Sequence, residues 1–178
     1  MVIVADRDGE AALLRELAGH EARLQFAAFD NDTSWRLGVL MLESARRRGL
    51  ALAVDIRRHG QVLFHAATAG TSPDNDSWLE RKRRVVDLCA HSSSAVGLQA
   101  RHDGGSFADW WGPDPTFYAA DGGAFPVLVR GTGMVGTIAV SGLSPAEDHA
   151  FVVESLQAHL TATTGSACEP GTPRPSVP

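Results

Sequence analysis

Gly122-Gly123-Ala124-Phe125-Pro126, then Gly131-Thr132-Gly133-Met134-Val135-Gly136, Val140-Ser141-Gly142-Leu143 and Ser144-Pro145-Ala146-Glu147-Asp148-His149 form the stretch on which the fold turns. It reads as strand, Gly-rich turn, strand and sharply capped helix. Residues 126–130 and 134–140 make the two arms of a hairpin. Ser144 is an N-cap, Pro145 fits the first helical position, and Glu147 closes a capping box. The helix is expected to run to about residue 160. His149 falls on its apolar stripe with Val152, Val153, Leu156 and Leu160, in the first turn and beside a strand end. Gly131-x-Gly133-x-x-Gly136 matches the dinucleotide fingerprint in form only. It joins two antiparallel strands and opens no helix, so that reading is rejected.

Upstream, residues 7–19 read as an amphipathic helix carrying Ala11, Leu14, Leu17 and Ala18, and residues 23–29 as a strand. Asp30-Asn31-Asp32-Thr33-Ser34 is dense in capping residues and starts a helix that stops at Gly49. With Trp35, Val39, Leu40 and Leu42, its first half is apolar nearly all round and is expected to be deeply buried. A second hairpin follows. A three-residue loop, Arg58-His59-Gly60, pairs Ile56 with Val62 and Val54 with Phe64 and leaves only Leu63 among the large apolar residues off the common face. A two-residue loop is expected to mix the faces. The stretch Thr71 to Ser77 reads as a loop running into a helix: Ser72, Asp74, Asp76 and Ser77 can all cap it, Ser77-x-x-Glu80 fits a capping box, and the helix continues to about His91, with residues 92–101 as an extension.

Residues 104–123 hold Phe107, Trp110, Trp111, Phe117 and Tyr118 among Gly, Pro and Asp. This is a long connection with short helical turns; its aromatics form either a satellite core or a subunit contact, or else a functional lid. Residues 161–178, rich in Thr, Ser, Gly and Pro, read as a disordered tail. The chain is thus read as one α+β domain over residues 1–160, with an antiparallel sheet of about five strands flanked by helices in a profilin-like or PAS-like layout.

The 178 residues are 44% hydrophobic and 21% charged, with a net charge of -5, as for a globular protein that is not a general nucleic-acid binder. Arg46-Arg47-Arg48 and Arg81-Lys82-Arg83-Arg84 fall on helices and read as solvated faces, apart from Lys82. Two cysteines, Cys89 on an apolar helix face and Cys168 in the tail, suggest no disulfide framework or C-x-x-C metal site. Residues 1–10 lack the pattern of a secretory leader, and no apolar run is long enough to cross a membrane, so a cytoplasmic protein is expected.

Two side chains stand out. Lys82 shares a helix face with Trp78, Val85, Val86 and Cys89, so it sits in the middle of an apolar arc. A lysine there must reach water or an anion, either a carboxylate from a neighbouring strand or subunit, or a ligand. His149 is the second, as a core residue or as a group that coordinates or donates to a ligand, beside Asp148 and a helix start suited to anions. Thr71, Ser72, Asp74, Asn75 and Asp76 form a polar loop entering a helix; capping explains most of that composition, and anion or metal binding is the functional alternative. Gly123, Phe125 and Ser141 complete the candidate ligand-binding set with Trp78. No elbow, P-loop, H-E-x-x-H or C-x-x-C signature is present, so no catalytic residue is assigned and enzymatic activity is left open.

The glycine-rich stretch quoted above, together with Gly70-Thr71-Ser72-Pro73-Asp74-Asn75-Asp76 and Trp78-Leu79-Glu80-Arg81-Lys82, resembles the haem-degrading-domain superfamily of GlcG/HbpS-like proteins, in a branch of small cytosolic members. The resemblance covers about residues 24–160. It implies an antiparallel sheet flanked by helices and homo-oligomers, as dimers or rings of dimers. It further implies haem or another tetrapyrrole as a candidate ligand, with His149 or His91 as an axial ligand, the aromatic connection as part of an apolar slot, and Lys82 holding an anionic group. The alternative expectation is a non-enzymatic oligomeric scaffold, with the aromatics of residues 109–118 and the Phe125-Pro126 strand start as subunit contacts.

Overall fold

The computed structural model describes residues 7–111, 114 and 116–166. Its elements are α1 Arg7–Arg23, β1 Gln25–Phe26, α2 Asn31–Arg47, β2 Ala53–Arg58, β3 Gln61–Ala67, α3 Pro73–Cys89, α4 Ser93–His102, α5 Phe107–Trp111, β4 Ala124–Val129, β5 Gly133–Ser141 and α6 Pro145–Ser166. The strands form one sheet in the order β1-β4-β5-β2-β3. Every pairing is antiparallel except β1 with β4. The α+β class read from the sequence holds, with one short parallel edge added.

Side-chain alternation divides the sheet into two unequal faces. Val54, Ile56, Phe64, Phe125, Val127, Ile138 and Val140 meet Leu37 and Met41 of α2 and Phe151, Val152 and Leu156 of α6 in the main core. The opposite face presents Ala53, Ala124 and Ala139 to Leu79 and Val86 of α3. Three alanines in adjacent strands leave room for α3 to lie directly on the sheet. A smaller cluster joins Val85, Val96 and Phe107, with Tyr118 packed against it. Phe107 and Tyr118 of the long connection therefore belong to a satellite core, while Trp110 and Phe117 are about half exposed.

The β2–β3 turn differs from the sequence reading. His59 (φ 48°) and Gly60 (φ 84°) alone make the connection, so Arg58 faces Gln61 and Arg57 faces Val62. The register then shifts, and Ile56 faces Phe64. Leu63 is the extra residue of a bulge that restores the faces a two-residue turn would otherwise mix. Val62 is pushed outward and is 50% exposed. Phe64 instead packs over Gly38, where a Cβ would collide with its ring.

Other boundaries shift for local reasons. α1 extends to Arg23, which cuts β1 to two residues. α2 starts at the expected cap: the Asp30 carboxylate accepts from the Thr33 N–H at 2.7 Å. Its first half is not buried all round, because Trp35 is 62% exposed and lies edge-on to Phe64. α3 starts at Pro73 and not near Ser77. Ser72 is the N-cap, its N–H donating to Asn75 Oδ1 at 2.8 Å. The helix ends at Ala90 in a left-handed conformation, and Ser92 caps a separate α4. The Ser144–Glu147 box forms as read: Glu147 Oε2 accepts from the Ser144 N–H at 3.1 Å and from its hydroxyl at 2.6 Å. α6 runs six residues past the expected end at residue 160. Residues 167–178 of the expected tail, including Cys168, lie outside the described residues.

Candidate functional site

The first turns of α6 set the site. Asp148 and His149 are consecutive, so they point about 100° apart around the helix. Asp148 turns toward α3 and the end of β5. His149 turns toward α1.

On the α3 side, Lys82 is 4% and Asp148 1% exposed. Lys82 Nζ donates to Asp148 Oδ2 at 2.7 Å and to the Val140 carbonyl at 3.3 Å, and Asp148 Oδ1 accepts from the Leu143 N–H at 3.1 Å. Burial pushes the Asp148 carboxyl above its ordinary value, while the Lys82 ammonium beside it pulls the other way. The anion required by a lysine in an apolar arc is thus a carboxylate from a helix of the same chain. Gly123 makes the approach feasible. At φ 123°, a Cβ there would lie 2.7 Å from the Val140 oxygen and 2.8 Å from Lys82 Nζ.

On the α1 side, His149 is 7% exposed and its Nε2 lies 3.3 Å from His20 Nδ1. Its Nδ1 is sealed from solvent and has no hydrogen-bond partner among the described residues. Burial, with the neighbouring His20 second, lowers its pKa from 6.5 to about 4, so it is neutral at physiological pH. Glu16 Oε1 lies 3.9 Å from His20 Nε2.

Lys82 and His149 therefore open onto two adjacent cavities. The larger, of about 570 Å3, is walled by Leu13, Leu17, Leu98 and Val153, with His20, His149 and Arg101 also lining it. The smaller, of about 390 Å3, contains Lys82, Asp148, Trp78, Asp74, Asn75 and Ser141. Asp121 and Pro145 line both.

The remaining candidates are scattered around this centre. Thr71 donates to the Thr68 carbonyl, Ser72 caps α3, and Asp76 pairs with His65, which also binds the buried Asp55. Phe125 is fully buried in the main core; its ring touches that of His149 but reaches neither cavity. Pro126 is buried as well, so the Phe125-Pro126 strand start has no surface to offer a second subunit. His91, the other candidate axial ligand, pairs with Glu21 at 2.7 Å and has a largely exposed side chain. Among the described residues no group of three or more His, Cys, Asp or Glu is placed to hold a metal ion, and no helix is long and apolar enough to cross a membrane.

His20 and Arg101 were not among the sequence candidates. The signal for His20 was available, since Leu13, Leu17 and His20 share one face of α1 at helical spacing. It needed α1 to extend past Gly19.

The family model described as haem degrading protein HbpS-like matches residues 29–157, and the chain belongs to that family. A UPF0303 protein of Streptomyces avermitilis is 51% identical over 152 residues, spanning 85% of this chain and 93% of the relative. The crystal structure of Ybr137w protein aligns with a TM-score of 0.78 and 26% identity over 91% of this chain and 99% of that one. A PduOC:haem complex aligns at TM-score 0.62 and 15% identity over 74% of this chain and 94% of that one, a likeness of fold.

Proposed function

We propose that the protein binds a largely apolar small molecule, haem or another tetrapyrrole as the class, in the cavity bounded by α1, α4 and α6. The observation that carries this reading is the neutral His149, in contact with His20, set into an apolar wall of a cavity of about 570 Å3. That volume lies within the usual range for ligand pockets. A neutral imidazole can coordinate iron or hydrogen-bond to a ligand, whereas a protonated one cannot coordinate. Arg101, exposed on the same wall, suits the carboxylates of a tetrapyrrole better than Lys82, whose charge Asp148 already meets. Membership of the HbpS-like family and the haem in the PduOC complex add support.

Haem would be held by the His20–His149 pair and Arg101, and would itself supply redox or oxygen chemistry. This chain's residues orient the imidazole, exclude water with leucine side chains, and balance carboxylate charge. Titration with haemin should give a saturable shifted Soret band, weakened by His149→Ala and by His20→Ala. Absence of a saturable change at micromolar haemin, or an unchanged band in the double variant, would exclude the assignment.

The exposed rings of Trp35, Trp110 and Phe117 favour a second reading, a non-enzymatic scaffold built from copies of this chain. Light scattering separates the two: a monomer at low micromolar concentration that still binds haemin leaves only the first.

A further inference from the structure

The smaller cavity has a polar inventory unlike that of the larger one. We propose that it is a separate site for a small organic cation carrying a primary ammonium group. The argument starts from what its polar groups already bind. The Leu143 and Ser144 N–H groups at the start of α6 are taken by Asp148 and Glu147, respectively. The Asn75 amide donates to the Ser141 carbonyl, and Lys82 donates to Asp148 and Val140. The donors an anion would need are thus largely consumed within the chain.

The acceptors are left over. Asp74 and Asp121 line the cavity and make no hydrogen bond or ion pair among the described residues. Ser141 is 4% exposed, and its hydroxyl has no partner among the described residues. It follows Ala139 by two positions on β5, so its side chain stands on the α3 face of the sheet, toward the cavity it lines. Trp78 lines the cavity as well, its ring already stacked with the Arg81 guanidinium, 4.1 Å from the centroid. Among the lining residues Lys82 supplies one positive charge against the three negative charges of Asp74, Asp121 and Asp148. The partial positive charge at two helix starts offsets only part of that excess. An ammonium group matches both the charge and the surplus of acceptors, whereas a carboxylate or phosphate matches neither.

The site is independent of haem. The test is calorimetric titration of the full chain with putrescine, and with acetate as the anionic control, at low salt. Saturable putrescine binding with no acetate binding is expected. Asp74→Asn and Asp121→Asn should each weaken it about tenfold, and Ser141→Ala less. Asp74→Asn should leave the haemin titration unchanged, because Asp74 does not line the larger cavity. Acetate binding as well as putrescine, no saturable putrescine binding, or full affinity in Asp74→Asn and Asp121→Asn would each overturn the proposal.

Discussion

Lys82 and Asp148 stand 66 residues apart in sequence and 2.7 Å apart in space, and both are shut away from solvent. The pair ties the middle of α3 to the start of α6 across the end of β5. Breaking it from one side leaves a buried charge without a counterpart. Lys82→Met and Asp148→Leu should each lower stability by about 3–5 kcal/mol, whereas the double replacement of Lys82→Met with Asp148→Leu should recover much of that loss. Urea unfolding of the four proteins as a double-mutant cycle measures the coupling. Additive losses would mean that the pair contributes no mutual stabilisation.

His149 makes stability depend on pH in a definite direction. Its folded pKa of about 4 lies below the ordinary 6.5. The fold therefore favours the neutral ring, so its contribution is complete above pH 6.5 and declines as the pH falls from 6.5 toward 4. The interval corresponds to about 3 kcal/mol. Unfolding midpoints across that range should fall more steeply for the native chain than for His149→Phe, which has no titrating ring.

Gly123 combines a left-handed φ with three close neighbours. Gly123→Ala should cost about 1–3 kcal/mol from backbone strain alone, plus whatever is lost as Lys82 moves. Thermal unfolding gives the total. Repeating it in the Lys82→Met background separates strain from displacement, and the smaller loss is expected there.

The start of α3 offers a comparison between two serines. Ser72 is the N-cap and Asn75 accepts its N–H, whereas Ser77 lies exposed within the helix. Asn75→Ala should cost about 1 kcal/mol and Ser77→Ala close to nothing. Chemical denaturation of both variants checks this; a larger loss for Ser77→Ala would restore the later helix start.

Elements coded by adjacent residues were legible. Ser144, Pro145 and Glu147 specify the start of α6 without help from the rest of the chain, and Asp30 does the same for α2. The interior position of Lys82 followed from helical spacing. Its partner did not, because nothing local links positions 82 and 148. The β2–β3 turn was misread because a bulge at Leu63 compensates for a tighter loop, and alternation alone cannot reveal such a compensation. Pro73 at the first helical position outweighed the Ser77–Glu80 pattern. The division of Lys82 and His149 between two cavities follows from the angle between consecutive helical residues, once Asp148 is known to face α3.

Ala53, Ala124 and Ala139 act as a spacer whose thickness determines how deep the lysine sits. Each added methyl group would lift α3 like a shim and draw the ammonium away from its carboxylate, with no change at either charged residue. Ala139→Val should therefore loosen the α3–α6 link at a distance, much as a wedge under a beam disengages a joint at its far end.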